Sequence, residues 1–237
     1  MDLKEVLSKL NALANPDKVV FKAEKFGISP ENSLGIYHKD LKQLAKEIGK
    51  NTDLGNALFE TEIYEARILC SKICNPKEVS EGQLDYWVTQ FTTWEICDSF
   101  CMELIKFHEL VILKAFQWSR SPETFVKRAG LVLMAVYGFA DRKADNTVFE
   151  SFLPVLIREC RDERVYVKKA VNWALRQIGK RNVDLQQKAI QTAQEILKIE
   201  SKSAQWIAKD ALKELQSEKV NVLDYPRKIY RSKTKSS

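Results

Sequence analysis

The sequence predicts an all-α fold, and three observations support that prediction. Gly and Pro are scarce, at 8 and 6 of 237 residues, which disfavours a fold built from many β-turns. Nearly every stretch between turn-forming residues places apolar side chains at helical spacing, and no segment pattern predicts a β-hairpin. The composition, 45% hydrophobic and 30% charged, is that of an ordinary globular protein with a substantial core.

The predicted helices follow one another with short links between them. Gly49 is placed to end the third helix, and Asn75-Pro76 to stop the fifth. Thr92-Thr93 offers an N-cap for the helix that begins at Trp94. The predicted helices cover about residues 3–13, 16–26, 38–49, 53–60, 61–74, 80–91, 94–106, 108–118, 122–139, 146–160, 163–180, 183–199 and 202–217.

The helix and link lengths predict a repeat architecture. Helices of roughly 10–18 residues with short links suggest stacked antiparallel pairs, and the implied unit of about 35–45 residues has the size of a HEAT-like repeat. We predict a single HEAT-like helical-repeat domain, an α-α solenoid, over residues 1–218, with a concave groove. No sharp sequence repeat is present, so a compact helical bundle is the alternative.

Positive charge is concentrated late in the chain, although the net charge is only +6. Residues 1–119 hold 14 basic and 18 acidic residues, residues 120–190 hold 14 and 8, and residues 219–237 hold 6 and 1. This asymmetry favours a surface that faces a polyanion, most commonly nucleic acid; a solvated charged face is the alternative. The basic tail over residues 219–237 has no helical pattern, and we expect it to lie along the surface or to be partly disordered. It is either a basic arm that contacts phosphates or a solubilising terminus.

Other protein classes find little support. No apolar run approaches the roughly 20 residues that span a membrane, and the N-terminus lacks the uninterrupted apolar region of a signal peptide. Five cysteines, with no compact disulfide framework, fit a cytoplasmic chain with reduced thiols. We expect no metal, because the cysteine pairs at 70/74 and 97/101 are not CxxC motifs and there are only two histidines. No phosphate-binding glycine motif is present, so we expect no nucleotide cofactor.

In the predicted helix 163–180, an aromatic side chain lies away from the apolar stripe. At about 100° per residue, the core stripe comprises Val167, Val171, Ala174 and Ile178. Trp173 projects from another side, together with Tyr166, Lys169, Arg176 and Lys180. An exposed Trp among cations is suited to stacking on a sugar or base while the cations bind phosphates. The alternative is a Trp that packs under the next repeat or under the tail.

The predicted helix 122–139 contains a cation among apolar residues. Its stripe comprises Phe125, Ala129, Val132, Val136 and Phe139, and Arg128 lies close to it. A guanidinium there requires a carboxylate, a phosphate or an opening to a groove, because an unpaired buried charge is too costly. A structural salt bridge, with Asp98 as the obvious partner, is the alternative.

The predicted helix 94–106 places a carboxylate beside an aromatic ring. Trp94, Asp98 and Ile105 fall on nearly one line, next to Cys97 and Cys101. A carboxylate in apolar surroundings is a candidate for a shifted pKa and a chemical role. It is equally suited to capping a helix or pairing with a buried Arg.

Three segments containing these residues resemble, in order, motifs of the AlkD-like family of DNA alkylation repair glycosylases. The segments are TTWEICDSF, FVKRAGLVLM and YVKKAVNWALRQIGK, and SLGIYHKDLKQLAKEIGK resembles the family's N-terminal groove segment. The Trp-x-x-x-Asp spacing places the family's active-site Trp on Trp94 and its catalytic Asp on Asp98. The groove Arg falls on Arg128 and the second groove Trp on Trp173. The intervals between motifs differ by several residues from those of the family's best-known members.

The resemblance implies a HEAT-like solenoid wrapped around duplex DNA that contains alkylated bases. Its reaction would be hydrolysis of the N-glycosidic bond of N3- or N7-alkylated purines, without a base-flipping pocket, a metal or a cofactor. Asp98 would stabilise the oxocarbenium-like sugar and orient water, Trp94 and Trp173 would flank the deoxyribose, and Arg128 would hold a phosphate. We expect a monomer. The alternatives are a non-catalytic binder of distorted or branched DNA, and a helical scaffold for protein partners.

Overall fold

The computed structural model describes residues 1–28 and 31–226, and regular structure in these two stretches is entirely helical. The prediction of an all-α chain is confirmed. A 3-10 turn, Ile105–Phe107, lies between two of the α-helices. The α-helices are α1 Leu3–Ala12, α2 Pro16–Phe26, α3 His38–Ile48, α4 Thr52–Glu60, α5 Tyr64–Ile73, α6 Glu81–Thr89, α7 Trp94–Glu103, α8 Val111–Trp118, α9 Thr124–Ala140, α10 Asn146–Glu159, α11 Val165–Gly179, α12 Val183–Leu197 and α13 Lys202–Leu215.

Side-chain caps explain where several of these helices begin. The Thr93 hydroxyl accepts a hydrogen bond from the backbone N–H of Ile96 at 3.3 Å, so the predicted cap of α7 is confirmed. At the other end of a helix, Gly27 terminates α2 in the left-handed conformation, at φ 63°. The same kind of N-cap, a side-chain oxygen that accepts a backbone N–H hydrogen bond, is provided at other helices by Asp2, Asn15, Asn51, Ser80, Asn182 and Ser201.

The predicted helix 94–106 is wrong in its last turn. The helix ends at Glu103, because the backbone of Leu104 leaves the helical region at φ −127° and ψ −66°. This break allows Leu104 and Ile105 both to point into the core, where neither is exposed. Ile105 therefore does not continue the line of Trp94 and Asp98.

The chain divides into two compact units, Met1–Val111 and Ile112–Ser237, each with its own apolar core. In the first, the rings of Phe59, Trp87 and Phe100 are completely buried, with centroids 5.3–5.8 Å apart. In the second, α9 packs along α11, and α12 packs along α13. The single domain over residues 1–218 stays a prediction.

The described part of the predicted tail lies against the residues at the end of α11. The backbone N–H groups of Leu223 and Tyr225 donate to the carbonyl oxygens of Lys180 and Arg181, both at 2.8 Å. The Asn182 side chain also donates to the carbonyl of Tyr225, at 2.5 Å. Residues 227–237, which carry most of the tail's charge, lie outside the described residues.

A glycine in the middle of α9 permits close packing against α8. A Cβ built on Gly130 would lie 2.4 Å from the backbone nitrogen of Ser119 and 2.8 Å from the carbonyl oxygen of Ala115. We expect Gly130→Ala to lower the free energy of unfolding by about 1–3 kcal/mol, measured by urea denaturation, because backbone must move. The matched control is Gly82→Ala in α6, where a Cβ meets nothing within 4 Å; there the free energy of unfolding should rise by up to about 1 kcal/mol. Equal effects at both positions would contradict this explanation.

In the described part of the chain, none of the helices combines the length and the apolar character that crossing a membrane requires.

The five cysteines carry free thiols and are buried, and the sulfurs of Cys70 and Cys74 lie 3.6 Å apart. Burial raises the pKa of the Cys70 thiol well above its usual range, which disfavours the reactive thiolate.

Candidate active site

Helix α7 presents Trp94 and Asp98 from the same side. Its buried face comprises Ile96, Cys97, Phe100 and Cys101, which point into the first unit. Trp94 and Asp98 lie one helical turn apart at the edge of that face, and both side chains are partly exposed. The ring of Phe26, at the end of α2, meets Trp94 edge to face with 6.3 Å between centroids. The structure therefore brings the two predicted α7 residues together at a surface that a ligand can reach.

Between them in sequence lies Glu95, whose role the sequence did not reveal. Its carboxylate accepts hydrogen bonds from the Lys22 ammonium at 3.0 and 3.1 Å, from His38 Nε2 at 2.7 Å and from the Tyr64 hydroxyl at 2.8 Å. Glu95 is only 7% exposed and Lys22 only 9%. These bonds tie α2, α3 and α5 to α7, beside Trp94.

The pKa of Glu95 shows that this carboxylate stays charged. Burial acts to raise the pKa, but the hydrogen bond from His38, the charge of Lys22 and the bonds from Lys22 and Tyr64 outweigh it and lower the pKa to about 2. Because an ionised carboxylate only accepts hydrogen bonds, Nε2 of His38 is the protonated ring nitrogen. Glu95 is therefore a structural anion, with its acceptor sites occupied.

A pocket of about 530 Å³ opens beside Trp94 and Glu95 in the first unit. Its wall is mainly aromatic and aliphatic, with cations at several points. Asp98, one helical turn from Trp94, is not among the residues that line it. The lining residues are Lys18, Phe21, Lys22, Phe26, Ile28, Ile36, Tyr37, His38, Lys39, Trp94 and Glu95.

In the second unit, Arg128 is almost buried on α9. It is 6% exposed, and its Nη1 donates a hydrogen bond to the backbone carbonyl of Tyr166 at 2.6 Å. The Tyr166 ring packs against Phe125, with 5.4 Å between centroids, so α9 and α11 position Arg128 jointly. The predicted stripe on α9 is correct for Ala129, Val132 and Val136, which are unexposed. It is wrong for Phe139, in the last turn, which is 42% exposed.

Helix α11 carries Trp173 on the face that the sequence predicted. The predicted core residues Val167, Val171, Ala174 and Ile178 are at most 1% exposed. Trp173 and Tyr166 are partly exposed, and Lys169 is exposed. Helical spacing places these three side chains on one stripe, which Arg176 and Lys180 continue.

Two cations of this stripe are engaged by acidic residues of α13. The guanidinium of Arg176 is hydrogen-bonded to Glu214 and lies 3.7 Å from Asp210, and the Lys180 ammonium donates to Glu214 at 2.7 Å. These hydrogen bonds and charges hold the pKa of Glu214 below its usual range against the opposing effect of burial. The stripe is therefore less positive than its sequence indicates. Unlike Arg176 and Lys180, Lys169 on this stripe has no carboxylate within salt-bridge distance among the described residues.

The four predicted catalytic residues are divided between the units. Trp94 and Asp98 belong to Met1–Val111, and Arg128 and Trp173 belong to Ile112–Ser237. Each pair is positioned by helix packing within its own unit. In the described stretches, no group of three or more His, Cys, Asp or Glu side chains is arranged to hold a metal ion.

The chain matches known proteins at the level of family and fold. A family model described as DNA alkylation repair enzyme matches residues 6–215. A solved structure described as "a new family of proteins related to the HEAT-like repeat DNA glycosylases with affinity for branched DNA structures" is similar, with a TM-score of 0.73 and 22% identity, over 90% of this chain and 95% of that one. This likeness confirms the predicted HEAT-like fold. An engineered protein matches 88% of this chain and 95% of its own at 13% identity, but its TM-score of 0.39 is too low to support an argument. No curated protein sequence matches the chain.

Proposed function

The chain belongs to the DNA alkylation repair enzyme family, and from this premise we propose that it is a DNA glycosylase for positively charged N3- and N7-alkylated purines in duplex DNA. The observation that carries the proposal is the pair of Trp94 and Asp98. Both are partly exposed, one turn apart on α7, at the spacing of the family's catalytic motif.

The reaction is hydrolysis of the N-glycosidic bond. An alkylated purine that carries a positive charge is already a good leaving group, so the demand is to stabilise the sugar as it becomes oxocarbenium-like. In the proposed mechanism the Asp98 carboxylate does so electrostatically and orients the attacking water. The aromatic faces of Trp94 and Trp173 stabilise the same cation, and Arg128 holds a phosphate near the lesion.

We propose further that the damaged base is cut without being flipped into a base-binding pocket, by a monomer that uses no metal or cofactor. This part of the proposal rests on the resemblance of the segments around Trp94, Arg128 and Trp173 to the family's motifs.

The decisive experiment is release of free alkylated purine. Purified protein is incubated with duplex DNA methylated at N3 of adenine and N7 of guanine, and the released bases are separated by chromatography. Release that grows with protein concentration supports the proposal. Release no faster than in DNA incubated alone overturns the enzymatic part of it.

A second candidate is a non-catalytic binder of branched DNA. The observation that favours it is the similar structure described as having affinity for branched DNA. In that case the protein should bind a four-way junction more tightly than a duplex of the same length, with an affinity that falls steeply with salt and does not depend on Asp98. Equal affinity for junction and duplex would eliminate it.

Both candidates predict that Lys169 contacts DNA. We expect Lys169→Glu to weaken duplex binding several-fold and to reduce the slope of log affinity against log salt by about 1 or more, because a phosphate contact is lost. Fluorescence anisotropy over a salt series measures both. Lys198→Glu, at an exposed position just after α12, is the control. Equal losses for the two variants would show that the effect is net charge and that this face of α11 is not the interface.

A further inference from the structure

The pocket beside Trp94 combines aromatic rings with lysines. Its rings Phe21, Phe26 and Tyr37 are each about two-fifths exposed, which leaves an unusual amount of aromatic surface in contact with solvent. The ammonium of Lys18 lies 4.2 Å from the Phe21 centroid and 4.4 Å from the Tyr37 centroid. Lys18 therefore occupies a position next to both rings.

The charge of the pocket favours an anionic ligand. Among the described residues that line it, Glu95 is the one carboxylate, and it is already paired with Lys22 and hydrogen-bonded to His38. Among the described residues, no carboxylate pairs with Lys18 or Lys39. A cationic ligand would meet these lysines as like charges.

The volume of the pocket is also that of a ligand site. Pockets that hold small ligands measure roughly 300–1,000 Å³, and this one measures about 530 Å³. Rings that stack on bases, together with lysines that follow the backbone, are the combination by which proteins hold single-stranded nucleic acid.

We propose that this pocket binds an unpaired nucleotide of a DNA strand. Its base stacks on Phe21 and Tyr37 in the place of the Lys18 ammonium, which moves to a neighbouring phosphate, and Lys39 contacts a second phosphate. The proposal rests on the proposed function only for the identity of the polymer as DNA. It adds a selectivity for gaps, flaps and other structures with unpaired nucleotides next to duplex.

The experiment compares DNA with and without unpaired nucleotides. Fluorescence anisotropy measures binding to a blunt duplex and to the same duplex with a four-nucleotide single-stranded extension, for the wild type and for the double variant Phe21→Ala/Tyr37→Ala. We expect the wild type to prefer the extension by at least about tenfold and the variant to lose that preference, because each stacking ring contributes to affinity. The variant Phe21→Tyr/Tyr37→Phe, which keeps both rings, should retain it.

The control is Phe107→Ala, which removes an exposed ring that also has a lysine over it, Lys106 at 4.9 Å, outside the pocket. Loss of the preference in this variant, or no preference in the wild type, would overturn the proposal. Tight binding of free deoxyadenosine monophosphate, equal to that of the extended duplex, would instead identify a free nucleotide as the ligand and also overturn it. Base release from intact duplex is measured in parallel, so that failure of the pocket and failure of the glycosylase are distinguished.

Discussion

Asp98→Asn should lower the rate of alkylated-base release at least about a hundredfold, while DNA affinity changes by less than about threefold. The substitution keeps the size of the side chain and removes its negative charge. A preorganised group that stabilises charge in the transition state typically contributes a factor of roughly 10²–10³. Binding, in contrast, depends mainly on cations and phosphates, to which this carboxylate contributes little. Single-turnover release and anisotropy measure the two quantities separately.

Two further variants make this test specific. Asp53→Asn, at an exposed position in the first turn of α4, removes the same charge from the same unit and should leave release unchanged. Glu95→Gln, assayed well below its melting temperature, should retain substantial release. If Glu95→Gln abolishes release while Asp98→Asn does not, the catalytic carboxylate has been assigned to the wrong residue of α7.

The parts of this structure that the sequence predicted depend on local spacing. Helix α2 has the predicted bounds, 16–26, because Pro16 at its first position and Gly27 at its end are local signals. Trp173 lies on the predicted face because the period of α11 decides it. Ile105 was misplaced because a break after Glu103 brings buried side chains into the core, and spacing alone does not reveal that.

The residues that the sequence did not reveal have partners far apart in the chain. From the sequence, Glu95 is an ordinary acid in the first turn of a helix. In the structure, its hydrogen-bond partners come from positions 22, 38 and 64. The aromatic pocket is similarly assembled from α2, the start of α3 and the start of α7. Likewise, the sequence predicts that Arg176 is available to bind phosphate, whereas in the structure Glu214 of α13 lies against it. Only tertiary packing brings such groups together.

Glu95→Gln should destabilise the protein by up to about 3 kcal/mol at neutral pH, with an effect that depends on pH. The pKa of Glu95 is about 2 in the folded protein, against an ordinary value of 4.5, and each unit corresponds to about 1.4 kcal/mol. A carboxyl with a lowered pKa stabilises the fold fully above its unfolded pKa, and that stabilisation is lost as the pH falls from 4.5 towards 2. Glutamine resembles the protonated acid, so the two proteins should converge at the acidic end of this range.

Urea denaturation of both proteins at pH 6.5 and at pH 3 measures this convergence. Glu47→Gln is the control, because it removes a salt bridge with Lys9 that is exposed to solvent and should change stability much less at either pH. A difference between wild type and Glu95→Gln that is the same at both pH values would show that Lys22 and His38 do not stabilise the charge. Since Glu95 joins α2, α3 and α5 to α7 next to Trp94, loss of its charge should also loosen the aromatic pocket. The preference for unpaired nucleotides should therefore weaken in Glu95→Gln even where the variant remains folded.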